Sequence, residues 1–219
     1  MMTGFIFDLD GVLTDTAQLH FEAWQALGEK LGISIDQTFN EQLKGISRMD
    51  SLEKILKRGG QASDFTSEEK EQLAAEKNAH YVRLLEQLSP ADLLPGVQDF
   101  LKAASAEKIP CSLASASKNA PIILEKLAIA HFFDAVVDPT TLTKGKPDPE
   151  IFLKAAEALG FEVHEVIGFE DAQAGIDGLK AAGIFAVGID PRDKLKDVDR
   201  LVGSFEELSV DALVEELDQ

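Results

Sequence analysis

Asp8 and Asp10 flank a single leucine in the run Phe5-Ile6-Phe7-Asp8-Leu9-Asp10. In an extended segment side chains alternate, so both carboxylates project to one face, roughly 6.6 Å apart along the chain. That is too far to share a proton but suits flanking one substrate atom. One carboxylate can attack phosphorus while the other handles the proton on the departing or incoming oxygen. Glu170 and Asp171 form a second acidic pair. Asp8, Glu170 and Asp171 crowded together would be costly unless a cation sat among them. An oxygen-only, incompletely closed site of this kind suits Mg²⁺, which keeps waters and phosphate oxygens as ligands. The four histidines are scattered at positions 20, 80, 131 and 164, and with one cysteine they make no zinc site. Phosphoryl transfer spreads negative charge over three equatorial oxygens. Mg²⁺, the Lys146 ammonium, the Ser115 hydroxyl and backbone N–H groups can each meet that charge. Pro147 biases Lys146 toward an extended conformation, which would aim it. The chain has neither a Walker-type loop nor a Gly-rich dinucleotide fingerprint, so no nucleotide is required.

These residues need elements that bring them together. Short apolar runs at 5–10, 110–115, 135–138, 166–171 and 185–190 end in polar residues, and most lead into helical patterns. Near-continuous apolar runs predict strands covered on both faces, hence a parallel α/β sheet. Helices are expected over 96–107, 149–159 and 172–182. Asp148 is read as an N-cap with Pro149 first in its helix, and Gly183 as a stop. Ligands bind beyond the carboxyl ends of parallel strands. That rule gathers Asp8, Asp10, Ser115, Glu170 and Asp171 at one edge, with Lys146 in the loop after the third strand.

Residues 16–87 interrupt the alternation with three helical patterns. One places His20, Trp24, Leu27 and Leu31 on a stripe and closes at Gly32. Another carries Asp50 and Glu53 at capping-box spacing and stops at Gly59-Gly60. The third runs from Thr66 and Glu69 along Leu73, Lys77, Tyr81, Leu84 and Leu88 to Pro90. The expected organisation is therefore a core of 1–15 and 88–219 with an inserted helical module at 16–87.

Composition narrows the functional classes. Of 219 residues, 45% are hydrophobic and 27% charged, enough apolar material for a sizeable core. Thirty-nine acidic against 21 basic residues give a net charge of −18, which repels nucleic acid and anionic lipid. No stretch approaches a membrane span, no signal peptide is apparent, and the lone Cys111 reads as a reduced, buried thiol. A soluble cytoplasmic monomer acting on small molecules is expected, with neither nucleic acid nor membrane as partner.

Taken singly, each motif has an ordinary structural reading, such as a turn, a helix cap or an acidic helix start. Their joint order is more specific. The run Asp8-Leu9-Asp10-Gly11-Val12-Leu13-Thr14-Asp15-Thr16 resembles the first motif of the haloacid dehalogenase superfamily. Ser115, Lys146-Pro147-Asp148-Pro149 and Gly168-Phe169-Glu170-Asp171 are similar to its second, third and fourth motifs, in order. The resemblance implies a Rossmann-like parallel sheet core with an inserted α-helical cap. Within the superfamily the likeness is nearest to a sugar-phosphate mutase branch. It rests on His20-Phe21-Glu22-Ala23-Trp24, residues 39–48, Lys77-Asn78, Ser89-Pro90-Ala91-Asp92, residues 115–119 and residues 170–176.

By that resemblance Asp8 is the nucleophile that becomes an aspartyl phosphate, and Asp10 is the general acid–base. Asp8, the Asp10 carbonyl, Glu170 and Asp171 hold Mg²⁺, and Ser115 and Lys146 balance phosphoryl charge. Gly45, Ile46, Ser47 and Arg48 grip the sugar and its distal phosphate, with Trp24 and Lys77 nearby. Ala116, Ser117, Lys118 and Asn119 line the core side, and His20 engages Asp10 when the cap closes. The implied reaction converts β-D-glucose 1-phosphate to glucose 6-phosphate through β-glucose 1,6-bisphosphate. An acyl phosphate is easily hydrolysed, so a cap that excludes water is expected. The planar fork of Arg48 suits a non-reacting phosphate. A phosphatase of small sugar phosphates or phosphoglycolate would use the same core motifs, as would a non-catalytic phosphosugar- or Mg²⁺-binding regulator. The segment 44–48 and His20 favour the mutase.

Overall fold

The computed structural model describes residues 3–43 and 46–217. In chain order the elements begin with β1 (Gly4–Phe7), α1 (Ala17–Leu31), α2 (Gln37–Asn40), α3 (Arg48–Arg58) and α4 (Ser67–Leu85). They continue with α5 (Val97–Ala106), β2 (Cys111–Leu113), α6 (Ala120–Lys126), β3 (Ala135–Val136) and α7 (Glu150–Leu159). The last are β4 (Val166–Glu170), α8 (Gln173–Ala182), β5 (Phe185–Ile189), β6 (Arg200–Val202) and α9 (Val210–Leu217). The chain divides into two compact units, Met1–Asp15 with Ser89–Gln219, and Thr16–Leu88.

The first unit is a six-stranded sheet in the order β3-β2-β1-β4-β5-β6, with every neighbouring pair parallel. β1 is central, and Phe5, Ile6 and Phe7 are fully buried. Alternation sends their side chains to opposite faces. Ile6 joins Ile151, Phe152, Ala155, Ile176 and Leu179, so α7 and α8 cover that side. Phe5 and Phe7 join Phe100 of α5, Phe169 and Phe205, with the Phe7 and Phe169 rings stacked at 4.7 Å. Each buried phenylalanine contributes about 1.5–3 kcal/mol, which holds rigid the strand whose end carries Asp8. Cys111 is buried beside this core, and burial, helped by Asp134, pushes its thiol up to about 12.

The second unit is all-helical. α1, α3 and α4 enclose Trp24, Leu27, Phe39, Leu52, Ile55, Leu56 and Leu73. α1 stops at Gly32 in the left-handed conformation, and Thr66 and Glu69 form a reciprocal capping box on α4. Among the described residues no helix is long and apolar enough to cross a membrane.

Several local expectations are corrected. β1 ends at Phe7, so Asp8 and Asp10 lie in the turn beyond it and strand alternation does not set their geometry. Gly11, at φ +80°, turns the chain there. α3 begins three residues earlier than the Asp50–Glu53 spacing implied. Its N-cap is Ser47, whose hydroxyl accepts from the Asp50 amide. α4 ends at Leu85, and Leu85 rather than Leu84 is buried. Pro149 is the N-cap of α7, while Asp148 accepts from the Glu150 amide. The sequence pattern predicts neither β6, the short α2 nor α9.

Candidate active site

Glu170 closes β4, and Asp8 follows β1, its amide donating to the Phe169 carbonyl at 3.0 Å. Two adjacent parallel strands thus deliver two acids to one edge. Lys146, in the loop before α7, reaches both: its Nζ lies 2.6 Å from Asp8 Oδ1 and 2.7 Å from Glu170 Oε2. The other oxygen of Glu170 accepts from the amides of Asp171 and Ala172 at 3.0 and 3.1 Å. The Lys146–Pro147 peptide is cis, which the residue order does not announce.

The electrostatics follow from burial and crowding. Burial raises the Asp8 carboxyl well above the carboxylate range; Lys146 opposes this, and Glu170 and Asp10 add to it. Burial, then Glu170, Asp8 and Asp10, raise Asp171 as well. Burial alone would lower Lys146, but Asp8 and Glu170 outweigh it and hold the ammonium charged. One ammonium does not balance this many acids.

Oxygen atoms of Asp8, Glu170 and Asp171 all lie within 4.8 Å of one another. Two glycines make the cluster possible. A Cβ at Gly175 would collide with the Glu170 carboxylate, and one at Gly11 with Asp171. Hard oxygen donors, excess negative charge and a cradle without side chains fit Mg²⁺.

Asp10 is half-buried in the turn and bridges to Thr14. Ser115 lies two residues past β2, and its hydroxyl accepts from the Ser117 amide at 3.1 Å. The Ser117 hydroxyl accepts in turn from the Asn119 amide at 3.3 Å. Successive turns therefore carry residues 115–119 along the carboxyl edge into α6. Ala116 and Lys118 are exposed there, while Asn119 is buried.

The helical unit gathers another group. His20 Nδ1 and Lys77 Nζ are 2.7 Å apart, and the Lys77 ammonium lies over the rings of Trp24 and Tyr81 at 4.6 and 4.7 Å. Burial, then Lys77 and Arg48, lower the His20 pKa well below 6.5. Because an ammonium only donates, the neutral ring accepts on Nδ1 and carries its proton on Nε2. Tyr81 stacks on His20 at 3.9 Å and donates to Thr16 at 3.0 Å. The sequence pattern puts Tyr81 on one helical stripe with Lys77 without giving it a site role, and the i+4 spacing of the two is the signal of their contact.

Arg48 is half-buried at the first position of α3. A cation there opposes the helix dipole, an arrangement that a bound anion would relieve. The Ser47 hydroxyl is engaged in the cap and also donates to Asp50 at 2.6 Å. Ile46 precedes it, half-buried. Gly45 lies outside the described residues.

Comparison with known proteins is consistent in direction. Residues 2–183 match the family model described as haloacid dehalogenase-like hydrolase. A β-phosphoglucomutase of Bacillus subtilis is 48% identical over 218 residues, covering 100% of this chain and 96% of that one. The crystal structure of a β-phosphoglucomutase from Clostridium difficile superposes with a TM-score of 0.95 at 44% identity, covering 100% and 98% of the two chains. A phosphorylated carbohydrates phosphatase of Thermotoga maritima is 31% identical over 185 residues, or 84% of this chain and 82% of its own length.

Proposed function

The chain belongs to the haloacid dehalogenase-like hydrolase family, and from that premise we propose that it is an isomerase with β-phosphoglucomutase activity. It would interconvert β-D-glucose 1-phosphate and glucose 6-phosphate. The carrying observation is the Lys146 bridge between Asp8 and Glu170 beside Asp171, in a chain 48% identical to the Bacillus subtilis β-phosphoglucomutase.

In this reading the Asp8 carboxylate carries the phosphoryl group. With Asp8 phosphorylated, Asp10 takes the proton from the sugar 6-hydroxyl as its oxygen bonds to phosphorus and the Asp8–phosphorus bond breaks. β-Glucose 1,6-bisphosphate results. After it turns around, Asp8 accepts the phosphoryl group from carbon 1 and Asp10 returns the proton to the freed oxygen. Lys146 and Ser115 meet the charge on the equatorial oxygens. Asp8, the Asp10 carbonyl, Glu170 and Asp171 would hold Mg²⁺, which supplies Lewis-acid neutralisation of the transferring group.

The helical unit contributes recognition. Arg48 takes the non-reacting phosphate, with Gly45, Ile46 and the Ser47 backbone beside it, and Trp24 and Lys77 hold the sugar. His20, neutral with Nε2–H outward from Lys77, is the group we assign to engage Asp10. Ala116, Ser117, Lys118 and Asn119 form the second phosphate grip, since a bisphosphate that reorients needs one at each end. The protein would act as a cytoplasmic monomer.

Incubation with Mg²⁺, β-glucose 1-phosphate and a trace of the bisphosphate tests this. Rapid glucose 6-phosphate with little free phosphate is expected. Stoichiometric free phosphate without isomer would instead establish a phosphatase.

A further inference from the structure

Lys146 is held at the carboxyl cluster by a loop with little apolar attachment. Within residues 138–145, Thr143, Lys144 and Gly145 are exposed, and Leu142 packs partly against the sheet core. Gly145 has open space where a Cβ would stand. A long side chain at the end of such a segment would lose its aim unless the backbone were tied down. The ties converge on one residue.

Oxygen Oε2 of Glu150 accepts from the Thr143 amide at 2.9 Å, the Thr143 hydroxyl at 2.8 Å and the Lys144 amide at 2.9 Å. Its Oε1 lies 3.2 Å from Lys154 Nζ, which donates to the Thr141 carbonyl at 2.7 Å. Lys154 is one helical turn beyond Glu150 on α7, so two adjacent side chains of that helix hold three loop residues. The Glu150 amide meanwhile donates to Asp148 at 3.1 Å, fixing the far side of Lys146. The loop is pinned at 143–144 and at 148, with Lys146 midway. The opposite anchorage is rigid, because α7 is seated on the sheet through Ile151, Phe152 and Ala155.

From this we infer that Glu150 is a positioning residue for Lys146, clamping the 141–148 loop so that the ammonium stays between Asp8 and Glu170. Glu150 does not touch the reacting atoms. The donors from Thr143 and Lys144 also hold its carboxyl down to about 2, so the clamp stays ionised at any working pH. The consequence for rate rests on the phosphoryl-transfer reading above; the consequence for geometry does not.

Two measurements separate those levels. The first labels lysines of the native protein with acetic anhydride and reads each site by peptide mass spectrometry. Lys146 should be protected in wild type. In Glu150→Ala it should react about tenfold faster, as expected of a loop that opens more often, while exposed Lys102 serves as the internal standard. Glu150→Gln keeps an acceptor oxygen in place and should restore most of the protection. Unchanged Lys146 protection in Glu150→Ala would overturn the inference, whatever the substrate.

The second is kinetic. Misplacing a catalytic group by about 1 Å costs about 10²-fold. Glu150→Ala should therefore lower kcat by that order with little change in KM, and Glu150→Gln should recover most of it. In a Lys146→Ala background, Glu150→Ala should cost no more than about twofold further, because the two act as a unit. Equal losses in both backgrounds would show that Glu150 acts through something other than Lys146, and would also overturn the inference. Wild type that forms no isomer would instead count against the mutase reading and leave the labelling result standing.

Discussion

The Lys77 ammonium lies 2.7 Å from Nδ1 of His20, pairing two groups that are both cationic when protonated. Burial disfavours the charged ring first, and Lys77 and then Arg48 repel it further, so the imidazole stays neutral and its pKa falls well below 6.5. The unfolded chain then binds a proton near pH 6.5 that the folded chain refuses. Stability from this site is complete above pH 6.5 and declines as pH falls toward the folded value. His20→Asn should flatten that part of the profile. Unfolding midpoints measured from pH 7.5 down to 5 should converge between variant and wild type at the acid end.

Lys146→Ala removes the ammonium from between Asp8 and Glu170. Losing one partner of a buried ion pair costs about 3–5 kcal/mol, and the remaining carboxylates repel one another. In the presence of chelator the variant should melt well below wild type. Added Mg²⁺ should raise its Tm by more than it raises that of wild type, because the ion then replaces missing positive charge. Thermal denaturation with and without Mg²⁺ checks both parts.

Asp10→Asn keeps the nucleophile and the metal-binding carboxylates while abolishing proton exchange with the sugar oxygen. Isomerisation should fall by about 10²–10⁴-fold, measured as glucose 6-phosphate formed at saturating substrate. A rate equal to wild type would remove Asp10 from its assigned role.

Gly175→Ala sets two effects against each other. Alanine within α8 gains about 1 kcal/mol of helix propensity, yet its Cβ meets the Glu170 carboxylate. The carboxylate must turn away, so Mg²⁺ affinity should drop by about 10–100-fold, the range seen when groups supporting a metal ligand are lost. Calorimetric titration of Mg²⁺ would register this even if overall stability is unchanged.

The sheet was legible because buried parallel strands leave near-continuous apolar runs, and its carboxyl edge followed from chain order alone. β6 escaped because three residues opening on Arg200 carry too little of that pattern. Strand alternation predicts Asp8 and Asp10 side by side, whereas the strand stops at Phe7 and a left-handed Gly11 turns the chain. The Asp50–Glu53 spacing imitates a helix start three residues late, whereas the cap that forms is the Ser47 hydroxyl accepting from the Asp50 amide. The His20–Lys77 pair spans 57 residues, and Glu150 grips a loop seven residues back. Neither leaves a periodic trace, since both depend on how separate segments meet.

Cys111 is the one cysteine of the chain, and its thiol is sealed within β2 with its ionisation suppressed to about 12. Thiolate is the reactive form, so a sulfhydryl reagent has nothing to attack while the sheet is intact. Its uptake would time the opening of the central strands, giving the protein a native stopwatch for unfolding that requires no engineered label.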